Sequence, residues 1–110
     1  MHRQTKATSI PPDVKEAVAK RDNGLCIICG APGDSHCHVV RRSQGGMGIE
    51  ENIITLCPQC HYSLDEGLYL SRLSAIGIKT QQQVQNIVED YMREKYPGWS
   101  REKVKYRKWG

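Results

Sequence analysis

The chain contains no phenylalanine, and only 38% of its 110 residues are apolar. Its Ile and Val are scattered rather than gathered into long runs. A core built from them alone is marginal, and a structural metal is one of the usual supplements at this size. No stretch approaches the ~20 apolar residues that a membrane-spanning helix needs, so no membrane partner is expected. The start, Met1-His2-Arg3-Gln4-Thr5-Lys6, lacks the apolar segment of a secretory signal, and the cytoplasm is the expected compartment. Cysteine is odd in number, at five. In such a compartment this argues for reduced thiols and metal rather than disulfides.

Acidic and basic residues are unevenly placed. Residues 1–25 carry five basic and three acidic side chains, residues 26–70 two and five, and residues 71–110 nine and four. An acidic centre between basic flanks suits a central cation and a polyanionic partner. From charge alone, the plainer reading is a modest cationic surplus that keeps a small protein soluble.

Residues 1–10 read as a polar leader, residues 11–70 as a folded domain, and residues 71–110 as a helical extension with a basic tail. Pro11-Pro12-Asp13 can open a helix carrying Val14, Ala17 and Val18 on one stripe, which Asn23-Gly24 would stop. His36 to Arg41 reads as a short strand around Val39-Val40, and Asn52 to Leu56 as a second. Gly45, Gly46 and Gly48 lie in the loop between them. Residues from Cys57 to about Leu70 suit a helix with Pro58 in its first turn. Thr80-x-x-Gln83 matches a capping box ahead of Val84, Ile87, Val88, Tyr91 and Met92 at helical spacing.

Four of the five cysteines form two pairs, Cys26-x-x-Cys29 and Cys57-x-x-Cys60. Each pair presents two thiolates to one ion, and together they complete a tetrahedral zinc site. Four thiolates leave no open position, so such a site is structural. The alternative is four buried thiols packed as small hydrophobes.

The stretch His38-Val39-Val40-Arg41-Arg42-Ser43-Gln44-Gly45-Gly46, then Asn52, then Leu56-Cys57-Pro58-Gln59-Cys60-His61, resembles the HNH endonucleases. It is most similar to members whose ββα-metal motif is braced by a four-cysteine zinc site, and the likeness spans about residues 11–67. It implies a small zinc-stabilised α+β domain: a ββα-metal, treble-clef-like core with an N-terminal helix and a C-terminal helical extension. It also implies His38 as general base, Asn52 as the residue that ties down the loop and helps orient that histidine, and His61 as a helix-borne ligand of one catalytic metal. Asp65, four residues beyond His61, falls on the same helical face and can reach the same ion. Imidazole and carboxylate together suit Mg²⁺, Mn²⁺, Ni²⁺ or Zn²⁺.

Many members of that family carry an aspartate where this chain has Cys37. Either its thiolate is a softer ligand that favours zinc or nickel, or the side chain faces the core and leaves His61, Asp65 and water to hold the ion. His36 should share the face of His38 and either assists, binds phosphate or sits idle at a loop edge. His2 reads as an ordinary terminal residue. Arg41 and Arg42 are candidates for gripping phosphates, as are Lys105, Arg107 and Lys108 in the tail, where Tyr106 and Trp109 could stack on bases.

The expected function is a metal-dependent DNA endonuclease that hydrolyses phosphodiester bonds, nicking or cutting double-stranded DNA. Small free-standing proteins of this family resemble phage or mobile-element products. The alternative is a non-catalytic zinc module that binds nucleic acid or protein.

Overall fold

The computed structural model describes residues 7–106. Pro11 and Pro12 fix an extended-to-helical entry, and helix α1 runs Pro12–Asp22 with Asp13 in its first turn and Lys20 and Arg21 in its last. Asn23 ends it in the left-handed conformation at φ 58°. Strand β1, Asp34–His38, pairs antiparallel with β2, Ile53–Leu56. A register irregularity lies between Asp34 and Cys37, beyond which Cys37 opposes Ile54 and His38 opposes Ile53. Helix α2 runs Pro58–Glu66 and helix α3 Gln81–Lys95. Among the described residues, no helix is long and apolar enough to cross a membrane.

The first strand lies earlier than the alternation of Val39 and Val40 suggests. Both valines are buried, but they leave the ladder. Val39 N–H donates to the Asn52 carbonyl at 2.8 Å, and Val40 N–H to Asn52 Oδ1 at 2.8 Å. The Asn52 amide in turn donates to the carbonyls of Val40 (3.1 Å) and Met47 (2.9 Å). One buried side chain thus satisfies three backbone groups of the loop, which a buried chain must otherwise leave unpaired at a cost. Gly46 is required there: a Cβ would stand 1.7 Å from the Val40 carbonyl oxygen.

Every residue of β2 is buried. Helix α1 packs on both strands, while α2 packs on β2 and α3. Thr80 and Gln83 form the capping box reciprocally, and Val84, Val88 and Met92 are fully buried. One apolar cluster joins Val39, Leu56 and Leu64 to Leu73, Val88, Trp99 and Val104, so the extension shares the core of the preceding domain. Asp22 ties the two together. Its buried carboxylate accepts from Arg21 (2.8 and 2.9 Å), from Thr55 N–H (3.0 Å) and from the Tyr91 hydroxyl on α3. The chain then returns past the loop, with Met47 N–H donating to the Val104 carbonyl at 2.9 Å and Tyr106 N–H to that of Gly45 at 2.6 Å.

Candidate active site

The turn after α1 carries Cys26 and Cys29; Cys57 caps α2 and Cys60 lies in its first turn. Their four sulfurs all lie within 4.8 Å of one another. Cys29 and Cys57 are 3.6 Å apart, while thiolates ~2.3 Å from a tetrahedral zinc stand ~3.8 Å apart. The donor set and spacing fit a structural zinc. The local backbone is shaped for it: Cys26 N–H donates to the Ala31 carbonyl at 2.7 Å, and Cys60 N–H points at Cys57 Sγ at 3.4 Å. Arg72, beyond the cysteine motif, sets its guanidinium 2.9 Å from Cys60 Sγ and 3.6 Å from Cys57 Sγ. Nothing in the local sequence marks Arg72 as a neighbour of these thiols.

A cleft of about 600 Å³ opens beside β1 and α2, lined by Ser9, Ile10, Lys15, His36, His38, Arg41, Arg42, Ser43, His61, Asp65 and Glu66. His38, His61, Asp65, Arg41 and Arg42 are therefore gathered on one wall system. Asn52 is not: it is wholly buried behind the loop and meets His38 only through the backbone beside it. Lys105 also lies elsewhere, bridged to Gly46, with its ammonium 3.2 Å from Glu102. Arg107, Lys108, Trp109 and His2 lie outside the described residues.

His61 Nε2 stands 2.9 Å from Asp65 Oδ2, the i,i+4 pairing of one helix face. That hydrogen bond raises the imidazole pKa above 6.5, against the opposing effect of burial. Cys37 Sγ joins the same two side chains, all three ligand atoms lying within 4.8 Å of one another. Core-facing and metal-reaching are thus not alternatives for Cys37, which is 1% exposed. Burial, then the charges of Asp65 and Cys26, push its thiol pKa well up. It stays protonated unless a cation takes the proton's place. His36 is exposed, with its ring centroid 5.8 Å from that of His61 in an edge-on contact.

His38 is half-buried, and burial holds its pKa below 6.5; Thr8 opposes this and Arg42 adds to it. Its Nε2 lies 2.8 Å from the Thr8 carbonyl oxygen. A carbonyl only accepts, so Nε2 carries the proton and the neutral ring leaves Nδ1 as the basic atom. Thr8 is buried and belongs to a segment that crosses the loop at Gly48, whose N–H donates to the Ala7 carbonyl at 3.0 Å. A Cβ at Gly48 would meet the Ser9 carbonyl oxygen at 1.9 Å. The roles of Gly46 and Gly48 are thus close approach, beyond the loop flexibility that their sequence suggests.

Residues 26–65 match the family model of the HNH endonucleases, from the first zinc-type cysteine to Asp65. No curated protein matches the chain.

Proposed function

We propose, on the match of residues 26–65 to the HNH endonuclease family model, that the protein is a metal-dependent DNA endonuclease with His38 as general base. The observation that carries this reading is the single cleft uniting a tautomer-fixed His38 with His61, Asp65, Arg41 and Arg42. Nδ1 of His38 takes a proton from a water whose oxygen attacks the scissile phosphorus, and the bond to the 3′ oxygen breaks. The low pKa of His38 keeps the ring unprotonated at neutral pH. Asn52 holds the loop against which the base is set. Arg41, Arg42 and Lys15 face the cleft as cationic side chains and receive the phosphates on either side of the cut.

His61 and Asp65, with Cys37 as third donor, are the residues that would hold the catalytic cation. When bound it would supply Lewis acidity at the phosphate and charge stabilisation for the leaving oxygen. A sulfur donor favours zinc or nickel over magnesium. Cys26, Cys29, Cys57 and Cys60 would hold a structural zinc that ties the turn after α1 to the start of α2. Lys105, which lies away from the cleft, contributes a second contact to double-stranded DNA, and Arg107 and Lys108, outside the described residues, are further candidates for gripping phosphates.

Plasmid nicking with Mg²⁺, Mn²⁺, Ni²⁺ and Zn²⁺ tests the proposal on wild type and His38→Ala. The variant should nick roughly 10²-fold or more slowly. Equal rates would remove His38 as the base. No nicking by wild type with any metal would favour a non-catalytic zinc module that binds nucleic acid or protein.

A further inference from the structure

A second groove, of about 680 Å³, lies on the far side of Arg41, and Arg41 lines both it and the catalytic cleft. A nucleic acid whose phosphate meets Arg41 in the cleft has this groove within reach of its flanking bases. The groove's chemistry differs from that of the cleft. The first two turns of α3 supply carboxamides from Gln81, Gln82, Gln85 and Asn86, and Gln44 adds another from the loop. A carboxamide carries a donor and an acceptor side by side with no charge. That suits base edges, adenine N6 and N7 above all, and grips phosphate poorly.

The amides are held rather than loose. Gln82 Nε2 donates to Asn86 Oδ1 at 2.9 Å, both residues being exposed, which leaves the Gln82 carbonyl and the Asn86 NH₂ unspent by that bond. Glu89, whose charge would repel DNA, is covered by Arg101 at 3.0 Å and Arg93 at 3.2 Å. Beneath, the buried stripe of Val84, Val88 and Met92 fixes the helix to the core. Rigid helical presentation beside the reacting centre is what a base-reading surface requires.

We propose that this groove reads base edges of double-stranded DNA flanking the scissile phosphate, and that Gln82 and Asn86 set a sequence bias that favours adenine there. The proposal rests on the endonuclease reading. Its test is cleavage of a duplex library with randomised flanks by wild type and by Gln82→Ala/Asn86→Ala, with the cut ends sequenced. Wild type should enrich adenine at a fixed distance from the cut, and the double variant should lose about 10-fold of that enrichment. The melting temperature should stay unchanged, since both side chains are exposed. Unbiased cutting by wild type, or the same bias in both proteins, overturns the groove while leaving the nuclease reading intact. If wild type cuts nothing, the nuclease reading has failed, and duplexes retained from the same library decide the groove. Adenine selection lost in the variant supports it, and identical selection overturns it.

Discussion

His38 Nε2 and the carbonyl oxygen of Thr8 lie 2.8 Å apart although the residues are thirty positions apart in sequence. That bond decides which ring nitrogen can act as a base, and the backbone group that makes it is kept in place by Gly48. Replacing Gly48 with Ala puts a methyl group where the Ser9 carbonyl lies, 1.9 Å from the ideal Cβ position. The segment must move by more than an ångström, and a displacement of ~1 Å in catalytic geometry costs roughly 10²-fold in rate. Gly48→Ala should therefore lose plasmid nicking while retaining zinc. Zinc measured by emission spectroscopy alongside the nicking rate separates this from simple unfolding.

The parts of the site that were legible in the sequence are those whose chemistry is local. Two Cys-x-x-Cys pairs declare a ligand set because two thiolates on one turn reach one ion. Thr80 and Gln83 declare a helix start because they bond to each other's backbone. His61 and Asp65 share a face by helical period alone. What stayed hidden depends on distant pieces. Val39 and Val40 look like strand residues, but the Asn52 side chain captures the backbone of Val40 and ends the ladder at His38. Thr8 acts through a carbonyl that any residue has, and Arg72 stands in an ordinary polar stretch. The bulge before Cys37, which belongs to strand pairing, is equally silent in the sequence.

Arg72 should govern how firmly zinc is held. A tetrathiolate zinc centre is dianionic, and the guanidinium at 2.9 Å from Cys60 Sγ offsets that charge while donating to the sulfur. Because Arg72 is exposed, its loss should not disturb the core. Arg72→Gln is expected to release zinc to a chromogenic chelator ~10-fold faster than wild type, and Arg72→Lys to an intermediate extent. Superimposable release curves would mean that the guanidinium has no hold on the site.

Asp22 makes stability depend on acid. Burial alone raises its carboxyl pKa, but hydrogen bonds from Arg21 and Tyr91 and the charge of Arg21 outweigh burial and hold it below 3.8. The folded pKa is thus lower than the unfolded one. The stabilisation is complete above the unfolded value and is lost as pH falls through the folded value. Asp22→Asn should lower stability near neutral pH by ~3 kcal/mol, because it leaves the Arg21 charge poorly matched. Urea titrations at descending pH should show the gap between wild type and variant closing toward the acid limb. A gap independent of pH would place the effect in packing instead.

Cys37 offers the sharpest test of the metal chemistry. Its sulfur lies with the His61 and Asp65 donor atoms inside 4.8 Å, yet burial keeps the thiol protonated in the absence of a cation. Cation binding at this trio must therefore expel a proton, so affinity should rise with pH. Substituting Asp for Cys37 exchanges a soft donor for a hard one of similar reach. Nicking by Cys37→Asp should shift toward Mg²⁺ and Mn²⁺ and lose ground with Zn²⁺ and Ni²⁺, by about tenfold or more in the ratio of rates. Cys37→Ala should retain the fold, since it vacates little volume, but should weaken the response to every metal. Were Cys37→Ala to nick like wild type with each cation, the sulfur would be a core atom only, and His61 and Asp65 with water would be the whole protein contribution to the metal.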